Sequence, residues 1–176
     1  MQRYAAFFRG INVGGRNMIK METLRATLGS LGFENVKSYI NSGNLVFETA
    51  AANQEALEQA IRDAIRKEFG FDIAVMVRSM DEIQSLIDDN PFEGQFENEK
   101  DLHVFFLREP LSNEQSSLLL ANESENELFS VRGREIFNLL RISILDSVMG
   151  KGFMDKKLKV RATARNWRTV KKIADM

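Results

Sequence analysis

The residues best suited to chemistry lie in the stretch Arg9-Gly10-Ile11-Asn12-Val13-Gly14-Gly15-Arg16-Asn17, directly after an apolar run from Tyr4 to Phe8. Glycine admits positive φ and lets backbone N–H groups come close to a ligand. Successive N–H groups in such a loop can form an anion-binding nest, and the N-terminus of the next helix adds its dipole. The loop therefore predicts recognition of a phosphate, a carboxylate or another backbone, with Arg9, Asn12, Gly14, Gly15 and Arg16 as one wall of a ligand site.

A second wall is expected near the C-terminus. Eight basic residues fall between Lys156 and Lys172. Thr163 and Asn166 sit at the expected start of the last helix, where free N–H groups favour an anion. Arg165 adds a planar fork that suits a carboxylate or phosphate. The expectation is one small anionic, phosphorylated for example, ligand between loop 9–17 and the 163–166 helix start. A plain reading stands beside it: a tight turn closed by its asparagines, and a solvated basic helix.

Known catalytic patterns are missing. The loop departs from G-x-x-x-x-G-K-[ST], because Gly10 is followed by Gly14, Gly15 and Arg16. It also lacks G-x-G-x-x-G. His103 is the single histidine and is flanked by Leu102, Val104 and Phe105, which reads as a structural strand residue. No G-x-S-x-G elbow is present. Asp88, Asp89, Glu97, Glu99 and Asp101 lack EF-hand spacing and read as a solvated acidic loop. Without cysteine there is no disulfide, thiolate zinc site or cysteine nucleophile. No catalytic residue, metal or cofactor is assigned.

The net charge of −1 conceals a strong segregation. Residues 1–80 carry 10 basic and 8 acidic side chains, residues 81–130 carry 2 and 13, and residues 131–176 carry 12 and 4. The acidic middle and basic end can pack against each other, or meet an outside partner. Electrostatic nucleic-acid binding through residues 151–172 is thus an alternative function, and a protein-interaction module using open sheet edges is a third. The strand Asn44-Leu45-Val46-Phe47-Glu48 lacks the stacking aromatics of an RNA-recognition motif. No apolar run approaches the ~20 residues of a membrane span. No secretory pattern opens the chain, so a cytoplasmic location is expected. Oligomeric state is left open.

The elements that must position these residues follow from periodicity. Strands are expected at 3–9, 36–40, 45–47 and 73–77, with helices at 20–31 and from Asn53 to Gly70. Leu57, Ile61, Ile65 and Phe69 form one apolar stripe of the second helix. Asn41-Ser42-Gly43-Asn44 signals a hairpin. This hairpin and the glycine loop are expected at opposite ends of adjacent strands, which argues against one shared site. Ser79-x-x-Glu82 and Ser112-x-x-Gln115 are capping boxes. Further strands are expected at 102–107, 127–131, 135–140 and 160–163. An interrupted helix is expected over 143–158, and Asn166 should cap a final helix.

The order β-α-β-β-α-β recurs. The expected fold is α+β: two tandem ferredoxin-like (βαββαβ) units with a C-terminal helix. Their expected limits are 1–79 and 101–176, joined by a connecting helix and acidic loop at 80–100. One larger sheet continuous across both halves is the alternative.

Four blocks, Arg9 to Gly15, Tyr39 to Asn44, Gly133 to Ile136 and Thr163 to Trp167, resemble those of the family called domain of unknown function 1697, found mainly in bacteria. They are specific together and weak singly. The resemblance spans essentially the whole chain. It implies an intracellular α+β protein with ferredoxin-like subdomains, and it lends no catalytic residue.

Overall fold

A computed structural model describes residues 1–176. The chain divides into two compact units, Met1–Asp88 with Lys172–Met176, and Asp89–Lys171. The fold is mixed α+β with two separate four-stranded antiparallel sheets. The alternative of one continuous sheet is thereby excluded.

The first unit runs β1 (Gln2–Phe8), α1 (Met21–Gly29), β2 (Glu34–Tyr39), β3 (Asn44–Thr49), α2 (Gln54–Phe69), β4 (Val75–Ser79) and α3 (Met80–Asp88). Strand order is β2-β3-β1-β4. Each helix after β1 or β3 returns the chain past a neighbouring strand, so every adjacent pair is antiparallel. One face of this sheet buries Tyr4, Ala6, Phe8, Leu45, Phe47 and Val77 against Leu24 and Leu28 of α1 and Leu57, Ile61 and Ile65 of α2. Phe47 stacks between Phe33 and Tyr4, with ring centroids 4.4 and 5.8 Å away. Asn53 caps α2 by accepting from the N–H groups of Glu55 and Ala56, and Gly70 ends it at φ 74°.

β4 begins at Val75 rather than at 73 and runs into the capping residue of α3. Ser79 N donates to Glu82 (2.7 Å) while Glu82 N donates to Ser79 Oγ (3.2 Å), which is the anticipated box. Glu58 of α2 is buried, and its carboxylate accepts from Val77 N (2.9 Å) on the edge strand.

The second unit runs β5 (Leu102–Leu107), α4 (Asn113–Leu120), β6 (Glu127–Arg132), β7 (Glu135–Leu140), a π-helical segment (Met154–Leu158), β8 (Ala162–Asn166) and α5 (Trp167–Ala174), whose last residues pass to the first unit's side of the division. Its strand order, β6-β7-β5-β8, repeats that of the first sheet. Phe105, Leu107, Phe129 and Ile136 pack against Leu119, Met149, Met154 and Leu158. The capping box of Ser112 and Gln115 is formed.

The expected helix over 143–158 is corrected here. Residues 144–152 form successive turns, and regular helical structure is confined to Phe153 and the π-helical Met154–Leu158. Two features mark the irregular path. Gly152 sits at φ +85°, and a Cβ on Gly150 would lie 1.6 Å from the carbonyl oxygen of Ile144. Ser147 Oγ stitches the turn by donating to Ile144 O (2.7 Å) and accepting from Gly150 N (2.8 Å).

Candidate functional site

The loop end of the first sheet gathers three chain segments. β1 is antiparallel to both β3 and β4, with Phe7 opposite Asn44 and Phe8 opposite Val75. The C-terminal end of β1 therefore meets the N-terminal ends of both neighbours. Phe8 N donates to Gly43 O (2.9 Å), and Arg9 N to Ala74 O (2.9 Å). The expected separation of the glycine loop from the 41–44 hairpin is thus corrected: antiparallel pairing puts them at the same end. They touch directly. Gly43, at φ +86°, has no room for a Cβ, which would lie 2.7 Å from Phe8 Cβ and 2.8 Å from Ile11 Cδ1.

Beyond Phe8 the loop is a braced miniature hairpin. Gly10, Asn12, Gly14, Gly15 and Asn17 all have positive φ. Gly14 and Gly15 are the two central residues of a tight turn between Val13 and Arg16, the positive-φ pair that a type I′ hairpin requires. Arg16 N donates to Val13 O (3.0 Å), and Asn12 N to Asn17 O (3.2 Å). The asparagines do the bracing. Asn17 Nδ2 donates to Gly10 O (3.0 Å). Asn12 Oδ1 accepts from Ile19 N (2.7 Å), while its Nδ2 donates to Ile19 O (3.0 Å) and Asn41 O (2.8 Å). Asn12 is therefore a structural staple rather than an open ligand donor.

What the brace presents is the tip. Gly14, Gly15 and Arg16 are exposed. The N–H groups of both glycines and the guanidinium of Arg16 have no partner within the protein. Arg9 is half-buried at the base of the loop and is engaged within the protein.

The C-terminal residues are placed differently from expectation. Thr163 to Asn166 belong to strand β8, and the helix starts only at Trp167. Arg165 is 8% exposed. Its Nη1 donates to Thr163 Oγ1 and to Ala164 O, both at 2.7 Å. Burial pushes its pKa down to about 10. Asn166 Oδ1 accepts from Thr169 N (3.0 Å), so Asn166 caps α5 as anticipated. The basic stretch is likewise not one helical face. It is divided among a turn, the π segment, β8 and α5, and Lys171 is ion-paired with Glu99 of the acidic middle segment.

Two features escaped the sequence reading. Arg78 is fully buried on β4 opposite Ala5, as Arg165 is on β8 opposite Val104. Arg78 Nη1 also donates to its preceding carbonyl, Val77 O (2.8 Å). The signal was present: Arg78-Ser79 and Arg165-Asn166 are both an arginine followed by a helix cap. The second missed residue is Glu127, buried at the start of β6, whose carboxylate accepts from Val148 N (2.8 Å) and Met149 N (3.4 Å).

His103 lies on β5 between Asn138 and Asn166. Burial lowers its pKa below the ordinary value, against the opposing charge and backbone hydrogen bond of Asp101. No group of three or more His, Asp or Glu side chains is arranged to hold a metal ion. No helix is long and apolar enough to cross a membrane.

No curated protein matches the chain. Among solved structures, the chain is similar to the conserved bacterial protein SP0830 from Streptococcus pneumoniae, at 25% identity and a TM-score of 0.79. That likeness covers 99% of this chain and 97% of the other. Residues 1–137, which include the braced loop, the Tyr39–Asn44 hairpin, the whole first sheet and strand β5 of the second, match the family model described as protein of unknown function (DUF1697), and the chain belongs to that family.

Proposed function

We propose that this protein is a binding domain for a small anionic ligand, received at the tip of the braced hairpin in the first unit. Gly14, Gly15 and Arg16 are the contacting residues, Arg9 adds positive charge at the base, and Asn12 positions the loop. One observation carries this reading. Two adjacent backbone N–H groups and a guanidinium, all without protein partners, stand on a loop held rigid by two asparagine side chains. A connection between β1 and α1 needs no such bracing, whereas a preorganised donor set loses less entropy on binding. Thr163 and Arg165 contribute no open wall, because each already serves the other within β8. Asn166 likewise serves as a cap. On strand order alone, we also assign both sheets to the ferredoxin-like class.

Inorganic phosphate and pyrophosphate, titrated into the ¹⁵N-labelled protein, test the reading. Amide signals of Gly14 and Gly15 should move saturably. Arg16→Ala should lose roughly 1.5–3 kcal/mol of that affinity, the range for hydrogen bonds to charged groups, with an unchanged melting temperature in the absence of ligand. Unmoved glycine signals at millimolar anion would defeat the reading.

A further inference from the structure

The second unit holds a separate cavity of about 260 Å³, lined by Asn122, Val148, Lys151, Phe153, Lys156 and Lys157. It lies where the end of α4 meets the turn and π-helical segment, and of its lining residues only Asn122 falls within the residues matched by the family model. We propose that it binds a small amphipathic anion, an alkyl or aryl body bearing a phosphate or carboxylate.

The lining divides the work. Val148 and Phe153 are half-buried and pack against the second core, so they form an apolar floor. The rim is cationic, and no carboxylate lines the cavity. Lys151 and Lys157 are exposed, and their ammonium groups have no protein partner. Lys156 Nζ donates to Lys151 O (2.9 Å), which fixes a third positive charge beside the opening. Gly152 makes this possible: at φ +85° it turns the chain back, and the Lys156 stem crosses 3.3 Å from where its Cβ would be. Asn122 Nδ2 donates to Leu118 O (2.8 Å), leaving its amide oxygen to accept.

Size and charge together select the ligand. At about 260 Å³ the cavity stands at the small end of ligand pockets. An inorganic anion would leave the apolar floor uncovered, and a neutral apolar molecule would leave the ammonium groups of Lys151 and Lys157 unpaired. An apolar chain ending in an anion satisfies both. The site is in a different unit from the glycine hairpin and shares no residue with it, so either reading can fail without the other.

The test uses n-octyl phosphate below its micellar concentration, with 1-octanol and inorganic phosphate as half-ligands, followed by ¹⁵N–¹H spectra of the full chain. Octyl phosphate should shift the Val148 and Phe153 amides saturably, and each half-ligand should bind at least tenfold more weakly there. K151E/K157E should weaken octyl phosphate tenfold or more without moving the melting temperature, and K151Q/K157Q should fall between. The glutamine pair decides the matter if the charge reversal unfolds the protein. Equal binding of octanol would overturn the proposal, as would octyl phosphate binding untouched by the lysine variants. Lysine-dependent retention of a single-stranded oligonucleotide, or of anionic vesicles, with no shift by octyl phosphate would also overturn it.

Discussion

The two units build the same strand order and cover it in different ways. The first sheet is roofed by α2, a 16-residue amphipathic helix with an asparagine cap at one end and a left-handed glycine at the other. The corresponding stretch in the second unit is a series of turns followed by a five-residue π segment. Each solution uses one buried carboxylate. Glu58 reaches from the helix to an N–H on the edge strand, whereas Glu127 reaches from the sheet to two N–H groups of the covering turns. A regular helix satisfies its own backbone. An irregular cover has orphan N–H groups that the sheet must supply with acceptors. The looser roof leaves a cavity whose charged lining is lysine alone, whereas the cavity beside α2 is lined by Asp63, Lys67 and Glu68.

Glycine substitutions break this comparison most severely. Gly43 and Gly150 are the positions where the chain passes too close for a side chain. Alanine at either should cost about 3 kcal/mol or more, the upper part of the overpacking range, measured by urea unfolding. In Gly43→Ala the left-handed backbone adds to the clash. A loss under ~1 kcal/mol at Gly150 would mean that the covering turns of the second unit are not packed as described.

The two carboxylates come next. Glu127→Ala strands the N–H groups of Val148 and Met149, and Glu58→Ala strands that of Val77, at about 1–3 kcal/mol for each unsatisfied group. Both substitutions should therefore destabilise the fold. Glutamine should recover part of both losses, because its amide oxygen still accepts. A loss under ~1 kcal/mol in Glu127→Ala would show that the turn segment is not held by Glu127.

Gly133 sharpens the contrast with Gly43. Both occupy hairpins at positive φ, but the nearest atom to a Cβ on Gly133 is Glu135 Oε2 at 3.9 Å. Gly133→Ala should cost only the left-handed strain of roughly 1–2 kcal/mol, well short of Gly43→Ala.

The smallest effect is expected from His103. Its folded-state pKa lies below the ordinary 6.5 because burial disfavours the cation. At low pH the unfolded chain binds this proton more readily than the folded one, so stability falls as pH drops through that ordinary value. His103→Gln should flatten the stability profile between about pH 7 and pH 5, where an unperturbed histidine titrates. An unchanged slope would show that His103 contributes nothing to acid sensitivity.

Much of this protein was determined by its sequence. Caps and periodicity are local, so the stripe of α2, the cap at Asn53, the boxes at Ser79 and Ser112, and the left-handed Gly43 and Gly133 could all be read from residue types. The recurrence of strand–helix–strand–strand order also lies in the sequence, and it fixed the two-sheet α+β plan. Tertiary structure decided what depends on neighbours distant along the chain. Antiparallel pairing of β1 with β3 brought the glycine loop onto the 41–44 hairpin, where linear reasoning had set them apart. Burial turned Arg165 and Thr163 from an open anion wall into a closed pair inside β8. Turns that bring Gly150 against Ile144 stand where a helix was expected. In each case the deciding quantity was the distance between groups remote in sequence, which residue type and spacing do not encode.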